Sequence, residues 1–403
     1  MKKMFMLVLL TGLVGGAAWF GWNRDAARGP ASPEAAEKLL LIDRFIAQRD
    51  APKALSLLDE LTTAGYRLGE QGDLARLRAL DLAGRHSESA TAAQAFLKSY
   101  PESPHRSTAE FVRLAGELSA AGLSKPGLRE SITTFLNDNP NHPESVSLQM
   151  ALAREEIKLG DFAAAERRVL PHLQEADRQP AVMQVAKHLG AANLNALISS
   201  SAGPGDTLYK VRSGDTINVI ARQHGVTEEL VMMANNITNP RMLRVGQELR
   251  IPKVGFTLHV DVGSNLMELR NNGRFFKLYV VRTGREAGTT PTGQFKVLNK
   301  KRGPTWRPGN GDVYGPGDPN NELGTRWMAF EGDILGIHGT IHPATVGEYA
   351  SNGCVGMLTE EVEELFDLIT VGTPLEIRGE RDLNRHRVIP AAPLQRPREI
   401  AQN

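Results

Sequence analysis

Near residue 200 the chain changes the period of its hydrophobic residues, and no single layer can serve both halves. From Pro33 to Ser200 the apolar positions recur at helical spacing, as in Leu39, Leu40, Ile42 and Ile46, then Ala54, Leu55, Leu57, Leu58 and Leu61. Ser201-Ala202-Gly203-Pro204-Gly205 is a linker by composition. Beyond it the runs Leu208-Tyr209-Lys210-Val211, Phe256 to Val262 and Phe276 to Val281 alternate as strands do. The expected fold class is therefore multidomain: a helical part followed by β-containing modules. The 403 residues admit two to four domains at roughly 150 residues each. Lys plus Arg is 47 against 46 Asp plus Glu, so no general field attracts nucleic acid, and no nucleic-acid partner is expected.

Before the helical part, Lys2 and Lys3 precede an uncharged stretch of 18 residues, Phe5 to Trp22. Cations ahead of an apolar run hold that end in the cytoplasm, so residues 1–24 read as an export signal or membrane anchor. Gly16-Ala17-Ala18 offers a small-residue cleavage site. Trp19, Phe20 and Trp22 sit where an interfacial aromatic belt lies, which favours retention as an anchor over cleavage. Either way the remainder lies on the periplasmic or cell-wall side of the membrane. The one cysteine, Cys354, excludes an intrachain disulfide, a CxxC redox pair and a multi-cysteine zinc site. No metal and no cofactor is expected. An unpaired thiol kept outside the cell is either buried and inert or reactive for a purpose.

Within 33–200 the triplets ending in Gly84, Gly122 and Gly160 recur every 38 residues. Phe96-Leu97 with Tyr100-Pro101 is echoed by Phe135-Leu136 with Asn139-Pro140. Helix pairs separated by a Gly turn and closed by Pro are the logic of a helical-hairpin solenoid, with an irregular bundle as the other reading. The pattern loosely resembles tetratricopeptide repeats, at a longer period. His86, His105, His142, His172 and His188 are scattered among surface-type residues. This part is expected to be a spacer or the docking surface for a protein partner.

Residues 207–252 read as strand, helix, helix, strand, with Thr216 and Thr227 as helix caps. Tyr209-Lys210-Val211, Ser213-Gly214-Asp215-Thr216, Ile220-Ala221, Asn235 or Asn236, and Val245-Gly246-Gln247-Glu248-Leu249 with Ile251-Pro252 resemble a LysM domain over the whole module. The resemblance implies binding to the glycan strands of peptidoglycan. It places the groove at Gly214, Asp215 and Thr216 on one side and Asn236, Ile237, Met242 and Leu243 on the other. Backbone amides and short polar side chains beside an apolar wall suit acetamido sugars; each of these positions is also an ordinary turn or cap residue.

From 256 to 379 short strands dominate, with Asn271-Asn272-Gly273 as a hairpin turn and one helix starting at Thr359. Ile337-His338-Gly339-Thr340 lies upstream of Ala350-Ser351-Asn352-Gly353-Cys354-Val355-Gly356-Met357. The thiol is flanked by small residues, and a histidine precedes it by 16 positions. Cys plus His is the minimum for nucleophilic acyl chemistry, since the attacking species is the thiolate. By spacing alone a lone, small-flanked cysteine is more often a packing residue.

The wider pattern resembles the L,D-transpeptidase (YkuD) catalytic domain. Arg282-Thr283-Gly284, Thr290-Pro291-Thr292-Gly293-Gln294-Phe295, Leu323 to Met328, Ile337 to Thr340, Pro343, Val346-Gly347 and Ser351 to Val355 carry it. The resemblance implies cross-linking of peptidoglycan stem peptides. Cys354 would attack a tetrapeptide donor with release of D-Ala, and an amine on a neighbouring stem would resolve the thioester. His338 would act as base and then acid, with Ser351 supporting the thiol or the substrate carboxylate. The N–H groups of Gly353 and Cys354 would serve as oxyanion donors. Gly339, Thr340, Asn352, Trp306 and Tyr314 are the expected substrate contacts, the last two in a Gly/Pro-rich stretch, 302–320, read as a lid. Two positions depart from the pattern: Asn352 stands where His is frequent, and Gly356 where Arg is usual. The second removes a cation that Arg282 or Arg326 would have to replace, or else shifts preference or weakens activity. The alternatives are an L,D-carboxypeptidase and a non-catalytic wall-binding scaffold. The Pro- and Arg-containing tail, 380–403, is expected to be disordered.

Overall fold

The computed structural model describes residues 32–199, 203, 205–332 and 334–384. The expected anchor, residues 5–22, lies outside them. Among the described residues no helix is long and apolar enough to cross a membrane.

The helical part opens with α1 (Pro33–Ala47), α2 (Ala51–Thr63), α3 (Gly69–Leu82), α4 (His86–Ser99), α5 (Arg106–Ala121), α6 (Leu128–Asp138) and α7 (Ser145–Lys158). Local chemistry sets the ends. Ser32 caps α1 by accepting from the Ala35 N–H at 3.1 Å, with Pro33 in the first turn, where its missing N–H costs nothing. Asp50 caps α2 in the same way through Lys53 N–H. The repeated glycines, Gly84, Gly122 and Gly160, all have positive φ (+70°, +59° and +77°) and follow α3, α5 and α7. Each repeat glycine thus closes the first helix of a pair. The buried faces form successive small cores, for example Ile42, Leu58 and Leu61, then Leu77, Phe96 and Val112, then Leu118, Ile132 and Leu148.

The chain divides into two compact units after Glu155. The expected helical segment 33–200 therefore does not pack as one body, because its last helices belong with the β-containing part. These are α8 (Phe162–Val169) and α9 (Pro180–Ile198). Helix α9 lies against the catalytic domain. Asn193 donates from Nδ2 to the Phe276 carbonyl at 3.0 Å, and a Cβ at Gly190 would stand 2.8 Å from Lys277 Cγ. A glycine allows that approach; the 3.6-residue period gives no hint of the partner.

Next comes the small module: β1 (Thr207–Lys210), α10 (Ile217–Gln223), α11 (Glu228–Ala234) and β2 (Glu248–Ile251), with β1 and β2 antiparallel. Thr216 and Thr227 cap the two helices, as their sequence positions imply. Asn235 closes the module by bonding the Arg250 N–H and C=O. Arg250 is buried, paired with Asp206 at 2.6 Å.

The final domain contains β3 (Phe256–Asp261), β4 (Leu266–Asn271), β5 (Arg274–Val280), β6 (Thr283–Gly284), β7 (Gly293–Lys296), β8 (Asn299–Arg302), β9 (Arg326–Glu331), β10 (Leu335–Gly339), β11 (Tyr349–Ser351), β12 (Val355–Met357), α12 (Thr359–Leu368) and β13 (Pro374–Arg378). One sheet runs β5-β4-β3-β13-β7 and a second β12-β10-β9-β8, while β11 pairs with β6. Asn272 and Gly273 have φ of +51° and +79°, the mirror turn that an Asn-Gly hairpin needs. Ile220, Val231 and Leu249 of the small module join Leu258, Met328, Ile337 and Val362 in one hydrophobic core. Thr227 donates to the Asp367 carbonyl, and Arg302 binds Glu229 at 2.6 Å and Asp367 at 3.1 Å. The two modules are thus fused by packing. The tail departs from its expectation over its first residues: the Asp382 N–H donates to Tyr349 Oη at 2.9 Å, and the Asp382 carboxylate meets Arg178 at 3.1 Å. Residues 385–403 lie outside the described part.

Candidate active site

Strands β10 and β12 run parallel, with Ile337 opposite Val355 and His338 opposite Gly356. That register carries the histidine to within a strand's width of the residue preceding β12, which is Cys354. A sequence separation of 16 is thus closed by one parallel pairing. Both residues line a cavity of about 550 Å³ with Ser351, Asn352, Trp306, Trp327, Arg282, Arg285, Glu322 and Ile334 among its walls.

His338 is buried, its ring stacked on Trp327 with centroids 5.9 Å apart. Its Nδ1 is bound to the Gly339 carbonyl. A carbonyl only accepts, so Nδ1 carries the proton and Nε2 is left as a lone-pair base. Burial pushes the imidazole down to about 4, against the opposing pull of the Gly339 carbonyl; the Arg282 charge adds to the fall. Burial also raises the Cys354 thiol, opposed by the Gly336 amide and Arg282. The resting pair is therefore neutral thiol and neutral imidazole, and the proton moves only when the sulfur attacks. In this structure Sγ faces the Ile334 carbonyl at 3.9 Å.

The turn before the thiol is held from three sides. Ser351 Oγ donates to the Cys354 carbonyl at 2.6 Å and accepts the Gly353 N–H at 3.1 Å. Thr290 Oγ1 donates to the Gly353 carbonyl at 2.9 Å and accepts the Gly284 N–H at 2.8 Å. Gly353 itself has φ +122°, and a Cβ there would stand 2.4 Å from the Thr289 carbonyl oxygen. Only glycine satisfies both conditions.

These bonds bear on two expectations. The Gly353 N–H, one of the two expected oxyanion donors, is bonded to Ser351 Oγ in this structure. Ser351 acts on the turn's backbone; neither of its bonds is to the thiol. Among the expected substrate contacts, Asn352 and Trp306 line the cavity, whereas Gly339, Thr340 and Tyr314 do not. Gly339 orients His338 through its carbonyl. Thr340 is buried and its Oγ1 accepts the His342 N–H. Tyr314 stacks behind Trp306, centroids 5.3 Å apart, with backbone bonds in both directions. The loop of 303–320 is tied down by Asn321, whose Nδ2 donates to the Pro304 and Gly315 carbonyls at 2.8 and 2.9 Å. Sequence reasoning passed over Asn321, and it gave Thr290 only a place in the family pattern; both bond backbone groups far along the chain.

In the small module, Asp215 accepts from Tyr209 OH at 2.8 Å and from the Arg212 N–H at 2.7 Å, which holds its carboxyl below the usual range. Thr216 Oγ1 accepts the Val219 N–H, and Gly214 has φ +88°. Asn236 is exposed at φ +53°, Ile237 and Leu243 pack partly against the core, and Met242 is exposed. Among the described residues no group of acidic, histidine or cysteine side chains is arranged to hold a metal ion.

A β-rich domain that sets a lone thiol and a tautomer-fixed imidazole at the mouth of one cavity defines a cysteine acyltransferase. The YkuD model, the L,D-transpeptidase catalytic domain, matches residues 255–377, and the LysM domain model matches 209–252. The putative L,D-transpeptidase YkuD of Bacillus subtilis (strain 168) is 30% identical over 175 residues, covering 42% of this chain and 97% of that protein. Putative L,D-transpeptidase YqjB of the same strain is 44% identical over 101 residues, which is 24% of this chain and 56% of that one. The solved catalytic domain of the E. faecium L,D-transpeptidase shares 24% identity at a TM-score of 0.26, covering 30% of this chain and 96% of that one. The chain belongs to the YkuD L,D-transpeptidase family, with a LysM domain ahead of its catalytic domain. It is a cysteine-dependent L,D-transpeptidase.

Proposed function

We propose that the protein cross-links peptidoglycan stem peptides through a Cys354 thioester. The observation that carries this reading is the parallel pairing of β10 with β12, which puts His338 and Cys354 on one cavity with His338 Nδ1 already engaged. Cys354 Sγ attacks the carbonyl of the third stem residue while its proton passes to His338 Nε2. The Cys354 N–H faces the developing oxyanion. The C–N bond to D-Ala breaks as His338 returns the proton to the leaving amine. An amine on a neighbouring stem then attacks the thioester, gives its proton to His338, and forms the new amide as the C–S bond breaks. One amide replaces another, so no external energy source is required. Asn352 and Trp306 line the donor's path.

The LysM domain supplies peptidoglycan glycan binding at Gly214, Asp215 and Thr216 and at Asn236, Ile237, Met242 and Leu243. The Asp215 and Thr216 side chains are used within their own turn, so recognition there falls to backbone groups. Exposed Leu208, Met242 and Val245 offer sugar rings an apolar surface. Residues 5–22 hold the chain on the outer face of the cytoplasmic membrane, and the helices up to Glu155 act as spacer or docking surface for a protein partner.

The test is incubation of the purified protein with tetrapeptide muropeptides, read by mass. The expected products are 3→3 dimers with release of D-Ala, and none from Cys354→Ala, which still binds peptidoglycan. Unchanged cross-linking by that variant would overturn the reading, and loss of D-Ala without dimers would make the enzyme a carboxypeptidase.

A further inference from the structure

The cavity wall contains a buried charge, Arg282, with no ion-pair partner among the described residues. Arg282 is 5% exposed. Its Nε is buried without a hydrogen-bond partner, and its NH1 donates to Thr345 Oγ1 at 3.2 Å. No carboxylate among the described residues forms an ion pair with it. Arg326, the other cation that might have served the site, is turned away: it meets Glu363 at 3.4 Å and the Phe366 ring at 5.5 Å. A buried guanidinium without an anion is costly to keep, so its presence beside the thiol implies a partner brought by a ligand.

The strand opposite is shaped to admit it. Arg282 and Gly356 exchange both backbone hydrogen bonds, at 2.7 and 2.8 Å. A Cβ at Gly356 would lie 2.8 Å from Arg282 Nε and 3.4 Å from Cζ. The guanidinium therefore lies across the face of residue 356, and it does so only because that residue has no side chain. The remaining charged groups on the cavity are Arg285, Lys301 and Arg307 against Glu322 alone. The lining as a whole favours an anionic substrate.

We propose that Arg282 is the carboxylate receptor of the donor subsite, binding a carboxylate of the stem peptide in bidentate fashion and so setting the scissile carbonyl against Cys354. The inference rests on the stem-peptide reading above. Two carboxylates can fill the role: the terminal carboxylate of the leaving D-Ala, two bonds from the scissile nitrogen, and a side-chain carboxylate on the third residue.

The experiment uses the full-length protein, one fixed amine acceptor and three tetrapeptide donors: the free acid, its terminal amide, and the form amidated at the third side chain. Wild type is expected to prefer the free acid by about 10- to 100-fold in kcat/KM over one of the amides, the loss expected when a charged hydrogen-bond partner is removed. The amide that suffers identifies the carboxylate. Arg282→Gln should collapse that ratio towards one and Arg282→Lys should restore part of it. Gly356→Ala, which keeps the charge but displaces it, should move the ratio in the same direction. If Arg282→Gln lowers all three donors equally and keeps the ratio, the proposal is overturned while the transpeptidase reading stands. If wild type processes none of the three, both fall together.

Discussion

Two glycine turns in the same folded unit look alike in sequence and differ in what they leave open. In Ser213-Gly214-Asp215-Thr216 every polar side chain of the turn that bonds does so locally: Asp215 to Tyr209 and Arg212, Thr216 to Val219. Nothing lies within 4 Å of a Cβ placed at Gly214. In Ser351-Asn352-Gly353-Cys354 the Ser351 hydroxyl also bonds within the turn, but Thr290 holds the turn from across the fold and Gly353 is pressed against Thr289. The first turn is held by its own residues, so it can be built anywhere the motif occurs. The second is held by its neighbours, so its thiol is aimed only in the finished domain.

Gly353→Ala should produce the largest effect that separates the two turns. A forbidden φ and a 2.4 Å contact with Thr289 together cost on the order of 3 kcal/mol, or about a 100-fold fall in kcat/KM, if the turn yields. Rates on soluble muropeptides with a parallel thermal melt would measure this; near-normal turnover would show that the turn is not held as described.

Ser351→Ala removes the bonds to Cys354 O and Gly353 N–H, and a loss of about 1–2 kcal/mol in stability with about a 10-fold loss of rate is expected. A large rate loss without any change in melting would instead assign Ser351 a direct role on substrate.

The pH profile tests the resting state of the pair. Because His338 is neutral down to about 4, the acid limb of kcat/KM should fall near that pH; a limb near 6.5 would show an imidazole that is not buried during turnover. The sign for stability follows from the same shift. Between its ordinary value of 6.5 and about 4 the unfolded imidazole binds a proton that the folded one refuses, so stability is lost as pH falls through that window. His338→Asn should flatten that part of the curve, read as melting temperature against pH.

Gly214→Ala should have the smallest effect. The left-handed φ costs about 1 kcal/mol with no clash to add to it. Retention on peptidoglycan should weaken modestly while turnover of soluble muropeptides is unchanged; a collapse of that turnover would mean the LysM turn is coupled to the catalytic one.

Much of this is legible in the sequence. The change of hydrophobic period near residue 200 separated helical from β-containing parts, and the repeat glycines marked the helix ends that the structure closes at positive φ. The Cys354 and His338 motifs were legible because a nucleophile, its base and the small residues around them are constrained residue by residue. Gly356 was the instructive case. As a letter it reads as a missing cation. In three dimensions it is the space in which Arg282 lies. Asn321 was silent for the same reason: it satisfies backbone groups of distant residues, and no local pattern records that.

By itself, then, the sequence determined the elements, the caps, the turns and the identity of the thiol, since these depend on neighbours within a few positions of the chain. Tertiary structure decided that α8 and α9 pack with the catalytic unit, that LysM and catalytic domains share one core, how the turn before the thiol is held, and which arginine reaches the cavity. Those outcomes depend on strand register and on which side chain fills which space, and both are fixed only when distant segments meet.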